Sequence, residues 1–238
     1  AYGASNPPFA VDYQGFLNGD GASALDTLPL VVTSADRTSP VGRYHIIASG
    51  AAAANYSITH ESGEIEVIRA VATMKADMKS RPYGAANPEL TVTYMGLANG
   101  DDESVLHALP VVATTATPGS PVGTYSITVS GTTAANYTLV PFDGVLTVTK
   151  APLSIVANDE SRPFGSANPA LTADYIGFVN GDDLNGLNSA VSLSSTATES
   201  SLPGMYPIVV TGGGASNYEI TRFSGMLTVT PAMLLIRA

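Results

Sequence analysis

The 238-residue sequence has no cysteine, no tryptophan and only three histidines. The absence of cysteine excludes disulfide bonds, thiolate metal ligands and thiol nucleophiles. No two histidines stand at a spacing that binds zinc, and the sequence contains no nucleophile elbow, phosphate-binding loop or dinucleotide-binding motif. We therefore expect a protein that is not an enzyme, with no catalytic residues, no metal site and no cofactor.

Charged residues are also scarce, and lysine is the scarcest. Charged residues make up 13% of the chain, lysine occurs only at positions 75, 79 and 150, and the formal net charge is -10. A mildly acidic surface argues against nucleic acid and against anionic membranes as partners. No apolar run approaches the roughly 20 residues of a membrane-spanning helix, so we also expect no membrane insertion.

The sequence does contain one unit that occurs three times at a spacing of 81 residues. Tandem arrays more often serve as spacers or as multivalent surfaces than as enzymes. None of the three histidines recurs at its repeat position, which disfavours a histidine-based active site further. Four motifs mark the unit: Tyr2-Gly3, Tyr83-Gly84 and Phe164-Gly165; Asn6-Pro7, Asn87-Pro88 and Asn168-Pro169; Asn18-Gly19-Asp20, Asn99-Gly100-Asp101 and Asn180-Gly181-Asp182; Asn55-Tyr56, Asn136-Tyr137 and Asn217-Tyr218.

Alternation of apolar and polar residues predicts that each copy is mainly β. In the second copy it indicates strands over residues 72–79, 90–97, 110–115 and 123–129, and a closing hairpin over 136–140 and 145–149. Acidic residues ahead of Val105 and Leu106 predict one short helix at most, directly after the Asn-Gly-Asp turn.

The repeat spacing also predicts how the chain is divided. Residues 1–69 form copy one without its leading strand, 70–150 form copy two, 151–230 form copy three, and 231–238 match the leading strand of a following repeat. A chain that begins partway into a repeat is expected of a fragment or a mature product. An apolar strand without partners favours pairing between molecules. We therefore predict that Met233 to Ile236 either adds to the first repeat of another chain or is disordered.

One aspartate of the Asn-Gly-Asp motif recurs in every copy, as Asp20, Asp101 and Asp182. A Ca²⁺ site between units would suit an extracellular rod. However, Ca²⁺ requires six to eight oxygen ligands, and further ligands cannot be identified. A turn followed by an aspartate that caps a helix explains the column more simply, and we favour it.

All eleven tyrosines fall into four columns of the repeat. For the strand positions, rings that fill a small core while their hydroxyls reach a loop carbonyl or water are the expected explanation. The column of Tyr2, Tyr83 and Phe164 lies in a loop instead. There an exposed aromatic platform for sugars stays an open alternative, and these three residues are the candidate ligand loop.

The full set of motifs resembles the MBG repeat of the YG type. In copy two the resemblance rests on residues 83–101 (Tyr-Gly-x-x-Asn-Pro-x-Leu-Thr-x-x-Tyr-x-Gly-Leu-x-Asn-Gly-Asp), 121–127, 130–131, 136–137 and 144–148. The resemblance implies a tandem array of three small β-rich units, β-grasp-like and similar to mucin-binding repeats. Immunoglobulin-like β-sandwich repeats are the alternative, because turn signals every 8 to 12 residues also fit that fold.

The resemblance further implies where such a chain acts and what it does. Repeats of this family occur in long bacterial surface and secreted adhesin-like proteins, and the family has no established catalytic residues. We therefore expect an extracellular, non-catalytic extender or stalk segment of a bacterial adhesin. The alternative is that the repeats themselves bind host or matrix glycans or mucin weakly and gain avidity by repetition.

Overall fold

The computed structural model describes residues 1–237 and consists mainly of β-strands, which make up 43% of the residues. Its helical segments in that range are three 3₁₀ turns of three residues, Ala22–Ala24, Glu103–Val105 and Leu184–Gly186. Each turn follows the Asn-Gly-Asp motif of one copy. The predictions of a mainly β fold, of tandem β-rich units and of at most one short helix in each are confirmed. No helix among residues 1–237 is long and apolar enough to cross a membrane.

Seventeen strands follow one another along the described residues. Copy one contributes β1 (Leu30–Thr33), β2 (Gly42–Ser49) and β3 (Gly63–Val67). Copy two contributes β4 (Ala70–Ala76), β5 (Lys79–Pro82), β6 (Val92–Met95), β7 (Val111–Thr114), β8 (Gly123–Ser130), β9 (Tyr137–Phe142) and β10 (Gly144–Thr149). Copy three contributes β11 (Ala151–Ala157), β12 (Glu160–Pro163), β13 (Ala173–Ile176), β14 (Val191–Ser195), β15 (Gly204–Gly212), β16 (Tyr218–Phe223) and β17 (Gly225–Thr230).

The chain folds into two compact units. The first consists of Ala1–Asp77, Thr91–Ala113 and Thr128–Asp143, and the second of Met78–Leu90, Thr114–Ile127 and the chain from Gly144 onwards. The first unit therefore holds copy one with β4, β6 and β9 of copy two. The second holds β5 and β10 of copy two with copy three. Each unit thus contains one junction between successive repeats.

In the second unit, copy three is a sandwich of two sheets with the strand orders β13-β11-β16 and β12-β17-β15-β14. The central strand β11 runs parallel to β16 and antiparallel to β13, and β12 runs parallel to β17. Ile155, Ile208 and Leu227 are each 0% exposed and pack together between the two sheets. The parallel pairs distinguish these mixed sheets from the antiparallel sheets of an immunoglobulin sandwich.

In the first unit, β4 is the central strand of a sheet with the order β6-β4-β9. It runs antiparallel to β6 and parallel to β9, as β11 does to its neighbours in copy three. The three strands of copy one form an antiparallel sheet with β2 in the centre. Residues 11–14 and 56–61, which correspond to β6 and β9, form no strand. Among the described residues of copy one, no sheet equivalent to β6-β4-β9 is therefore formed.

Two predicted strand arrangements are wrong. Residues 72–79 were predicted as one strand, but the chain forms β4 and β5, which belong to different sheets. The predicted closing hairpin is also absent, because β9 and β10 belong to different sheets and are not paired. Alternation with period two identifies the two faces of a strand, but it does not specify the sheet in which the strand lies.

Two contacts mark the places in copy three where the chain passes from one sheet to the other. Between β11 and β12, the carboxylate Oδ1 of Asp159 accepts a hydrogen bond from the backbone N–H of Met226 at 2.7 Å. Between β16 and β17, Gly225 passes close to the end of β11. A Cβ atom at Gly225 would lie 2.5 Å from the carbonyl oxygen of Ala157, so this crossing requires glycine.

Candidate functional site: the joints between repeats

Successive repeats are connected by very short segments. In the second unit, Lys150 alone separates β10 from β11. In the first unit, Ile68 and Arg69 separate β3 from β4, and Arg69 Nε donates a hydrogen bond to the carbonyl oxygen of Ala135 at 3.2 Å. Connections of this length, without glycine or serine, leave adjoining repeats little freedom to swing.

The aromatic-Gly loop of copy two packs against the Asn-Tyr motif of copy three. Tyr83 is 7% exposed, and its ring meets the ring of Tyr218 edge to face, with centroids 5.6 Å apart. Val148, Ala151 and Leu153 complete this buried cluster. Burial of two aromatic rings in an edge-to-face contact stabilises the joint beyond its buried area. Two of the four recurring motifs are therefore brought together at this joint.

Gly84 allows the loop of copy two to approach copy three closely. Its backbone has a φ of +83°, which side chains other than glycine rarely adopt. A Cβ atom there would also lie 2.3 Å from Cγ2 of Val179, which precedes the Asn-Gly-Asp motif of copy three. The glycine of the aromatic-Gly motif is thus required both by backbone conformation and by the close contact.

Asparagine side chains complete the joint with hydrogen bonds to the backbone of the preceding copy. Asn180 Nδ2 donates to the carbonyl oxygen of Pro118 at 3.2 Å. Asn217 Oδ1 accepts from the backbone N–H of Val122 at 3.1 Å. Asn180 has a φ of +57°, a conformation that asparagine tolerates better than most residues. The joint therefore explains why the Asn-Gly-Asp motif and the Asn-Tyr motif both contain asparagine.

The aspartate of the Asn-Gly-Asp motif holds a tyrosine rather than a helix terminus. Tyr218 donates its hydroxyl to Asp182 Oδ2 at 2.7 Å and accepts from the backbone N–H of Val179 at 3.1 Å. Burial, together with the hydrogen bond to Asp182, raises the pKa of Tyr218 to about 12. Burial and Asp101 raise the pKa of Tyr137 in copy two to about 12 in the same way.

The predicted cap is present, but one residue later than expected. Asp102 Oδ1 accepts from the backbone N–H of Ser104 at 2.9 Å, and Asp183 Oδ1 accepts from that of Asn185 at 2.8 Å. Hydrogen bonding from Ser104 lowers the pKa of Asp102. In copy one the corresponding residue is Gly21, and its 3₁₀ turn has no side-chain cap.

The first unit contains the same joint between copies one and two. The rings of Tyr2 and Tyr137 meet edge to face with centroids 5.4 Å apart, and Tyr2 donates its hydroxyl to Asp101 Oδ2 at 3.1 Å. A Cβ atom at Gly3 would lie 2.3 Å from Cβ of Ala98. The asparagine contacts also recur: Asn99 Nδ2 donates to the carbonyl oxygen of Arg37 at 3.0 Å, and Asn136 Oδ1 accepts from the backbone N–H of Val41 at 3.1 Å.

The candidate ligand loop has different surroundings in the three copies. Tyr2 and Tyr83 lie in the joints, whereas Phe164 is 41% exposed. A Cβ atom at Gly165 would meet nothing within 4 Å, in contrast to Gly84. In copy three Pro203 occupies the place of Val122, and proline has no backbone N–H to donate.

A buried arginine fixes the Asn-Pro motif in copies two and three. Arg81 is 4% exposed, its Nε donates to Asn87 Oδ1 at 2.7 Å, and its other nitrogens donate to the carbonyl oxygens of Pro82 and Thr117. Asn87 Nδ2 in turn donates to the carbonyl oxygen of Ala116 at 2.6 Å. Arg162 and Asn168 repeat the arrangement in copy three. The sequence signal was the Arg-Pro pair, which precedes the aromatic-Gly motif in both copies.

Within residues 1–237, no group of three or more histidines and acidic residues is placed to hold a metal ion. The MBG domain family (YGX type) matches the chain three times, over residues 1–66, 72–147 and 153–228. Repeats of this type are non-enzymatic and are associated with adhesin-like surface proteins. No curated protein matches the chain. The boundaries 1–69, 70–150, 151–230 and 231–238 stay a prediction.

Proposed function

Because the chain belongs to the MBG domain family (YGX type), we propose that it is a non-catalytic extender segment of a bacterial cell-surface or secreted adhesin. In this role it holds a binding domain away from the cell. One observation carries the proposal: three of the four recurring motifs form the joints between repeats. At the two joints, aromatic, glycine and asparagine residues of these motifs contact the neighbouring copy.

The physical argument is that an extender must resist bending to keep its reach. A chain of domains on flexible linkers has an end-to-end distance that grows only with the square root of its length. Here a one-residue connection, a buried aromatic pair and two asparagine hydrogen bonds act together at the joint between copies two and three. These contacts restrain the connection in several directions, which supports a stiff spacer.

The stiffness of this joint can be measured with two spin labels in the second unit. Cysteines introduced at the exposed positions Thr124 in copy two and Thr221 in copy three give specific labelling, because the chain has no cysteine of its own. We expect a narrow distance distribution by pulsed electron paramagnetic resonance. Tyr83→Ala should broaden it, because it removes the buried ring that faces Tyr218.

Phe164→Ala is the matched control for Tyr83→Ala. It removes an aromatic ring at the same repeat position, but Phe164 is 41% exposed and lies outside the labelled joint. The distance distribution should therefore stay as narrow as in the unsubstituted chain. A broad distribution before any substitution would contradict the extender proposal.

Weak glycan or mucin binding by the repeats themselves is the second candidate function. The observation that favours it is the exposed ring of Phe164, since aromatic faces commonly bind sugars. At Tyr2 and Tyr83, a ligand would have to displace contacts of the joints. A glycan and mucin array with the chain and with Phe164→Ala tests this candidate. Binding that Phe164→Ala abolishes would support it, and no binding by either would reject it.

A further inference from the structure

The first and the last strand of copy three both lie in the interior of a sheet. β11 lies between β13 and β16, and β17 lies between β12 and β15. Each of the two strands is therefore hydrogen-bonded to a neighbour on both sides, whereas a strand at the edge of a sheet is bonded on one side only. The chain thus enters and leaves copy three through strands that are each held by two ladders.

The beginning and the end of copy three also run side by side in the same direction. β11 pairs in parallel with β16, beginning with Ala151 opposite Tyr218. β12 pairs in parallel with β17, ending with Pro163 opposite Thr230. The leading segment, β11 and β12, therefore follows the closing segment, β16 and β17, with one parallel pair in each sheet.

This arrangement determines how tension along the chain acts on copy three. Tension pulls β11 towards its N-terminal end at Ala151 and pulls β17 towards its C-terminal end at Thr230. Because the leading and closing segments are parallel, the two pulls oppose each other along the strands. Ladder hydrogen bonds run between strands rather than along them, so this load acts on many of them together. A pull across the strands would instead break them one after another.

Buried side chains also oppose sliding of β11. Leu153 and Ile155 are 1% and 0% exposed, and Ile155 packs with Ile208 and Leu227 in the core. A slip by one residue would turn these side chains to the opposite face of the sheet, and a slip by two would move each into its neighbour's place. Either movement disrupts a close-packed core, so packing and ladders resist tension together.

The same pairing recurs in copy two. In the first unit, β4 lies between β6 and β9 and is parallel to β9. In the second unit, β10 lies between β5 and β8 and is parallel to β5. Lys150 alone connects β10 with β11, so tension passes from the closing strand of copy two into the leading strand of copy three without a flexible segment.

We propose that these parallel ladders form a tension clamp, which keeps copies two and three folded when force acts along the chain. The proposal rests on the extender function, because a segment that holds a binding domain away from the cell carries the load when the bound domain is pulled. Unfolding under force is governed by the unfolding rate rather than by equilibrium stability. The clamp therefore provides a resistance that depends on the direction of the force.

Single-molecule force spectroscopy on the full chain tests this dependence on direction. Cysteines in place of the exposed Lys150 and Pro231 attach DNA handles just outside β11 and β17, and these handles load copy three along its strands. Cysteines in place of the exposed Ser161 in β12 and Ser192 in β14 load it across the strands, because β12 and β14 are the two edges of one sheet. The chain has no cysteine of its own, so each pair of handles attaches specifically.

The pair at positions 150 and 231 should require at least about twice the unfolding force of the pair at 161 and 192, because only the first pair loads the ladders together. Unfolding of residues 151–230 should lengthen the chain by about 250 Å, which identifies the event as copy three. Equal forces for the two pairs, or a lower force along the strands, would overturn the proposal. The extender proposal is tested separately, by the distance distribution at the joint, so the two can fail independently.

Two substitutions distinguish a clamp from general stability. Ile155→Ala shortens a fully buried side chain in the loaded strand β11, whereas Leu193→Ala shortens a half-buried side chain in the edge strand β14. Under force along the strands, Ile155→Ala should unfold about tenfold faster than the unsubstituted chain, and Leu193→Ala less than about twofold faster. The difference should remain after each change in the logarithm of the rate is divided by the loss of equilibrium stability from urea unfolding. Equal ratios for the two variants would overturn the proposal, since overall stability would then set the resistance.

Discussion

Copies one and three share a sequence pattern but differ in how well their core is closed. Ile208 and Leu227 are fully buried in copy three, whereas the matching Ile46 and Ile65 are only half-buried in copy one. Residues 173–176 form a strand in copy three, and the matching residues 11–14 do not. In copy three, β11 pairs with β13 and packs against Ile208. The described residues of copy one include no counterpart of β11 beside residues 11–14 and Ile46.

Local contacts survive in copy one without that strand. Tyr56 donates its hydroxyl to Asp20 Oδ2 at 2.6 Å and accepts from the backbone N–H of Leu17 at 3.3 Å, as Tyr218 does with Asp182 and Val179. However, Tyr218 is buried and Tyr56 is half-buried. The turn motif thus forms from nearby contacts, whereas the core depends on a strand supplied from outside the motif.

The largest effect should come from removing the central isoleucine of each core. Ile208→Ala should lower the free energy of unfolding by about 3 kcal/mol, because it leaves a cavity in a fully closed core. Ile46→Ala, at the same repeat position, should lower it by only about 1 kcal/mol, because its side chain is already partly in contact with water. Urea unfolding followed by circular dichroism measures both values.

Costs of equal size for Ile208→Ala and Ile46→Ala would show that the core of copy one is as well closed as that of copy three. That result would contradict the difference in core closure between the two copies.

An intermediate effect is expected at the glycine where the chain changes sheets. In Gly225→Ala the new Cβ meets the carbonyl oxygen of Ala157 at 2.5 Å, so we expect a loss of about 2 kcal/mol in the free energy of unfolding. In Gly63→Ala the nearest atom is Cβ of Ile46 at 3.7 Å, an ordinary contact. This second substitution should be close to neutral, because the described residues leave room for a Cβ atom at Gly63.

Thermal unfolding of the two variants measures the difference between them. A substantial loss in Gly63→Ala would mean that backbone conformation, rather than the neighbouring strand, requires glycine in this column. Neither Gly63 nor Gly225 has a positive φ, so steric contact is the expected cause.

The sequence allowed the β class, the repeat length and the short helical turn to be predicted, because each depends on local patterns. Alternation in 123–129 predicts a strand that the structure confirms as β8. The same alternation does not show that residues 72–79 divide between two sheets, or that residues 136–149 form no hairpin. These features depend on contacts between distant residues, such as Gly225 with Ala157, which local periodicity does not encode.

For the candidate site, recurrence in all copies identified the right residues but not what they contact. Interpreted within a single repeat, the motifs predict a helix cap at Asp182 and leave Tyr83 open between a core position and a ligand loop. In the structure Tyr83 contacts Tyr218 of the next copy, and Asp182 holds the hydroxyl of that tyrosine. A residue can therefore recur because repeats must fit one another, and only the structure shows which neighbour it meets.

The smallest effect should come from the tyrosine hydroxyls, and it depends on pH. The pKa of Tyr218 is raised from 10.0 to about 12 by burial, so below pH 10 the residue is neutral in both the folded and the unfolded chain. Between pH 10 and about 12 the unfolded chain loses this proton while the folded chain keeps it. The free energy of unfolding should therefore be constant below pH 10 and fall as pH rises towards 12.

Tyr218→Phe should cost about 1 kcal/mol at neutral pH, because Asp182 loses its hydrogen-bond donor. Above pH 10 the variant should lose less stability than the unsubstituted chain, since the ionising group has been removed. Tyr56→Phe is the matched control, because that hydroxyl has the same partner type but lies at a half-buried position. Its cost at neutral pH should be smaller, because water can replace the lost bond to Asp20. Urea unfolding between pH 8 and pH 12 measures how the free energy of unfolding of each variant depends on pH. Identical pH profiles for Tyr218→Phe and the unsubstituted chain would show that burial of Tyr218 does not control this ionisation.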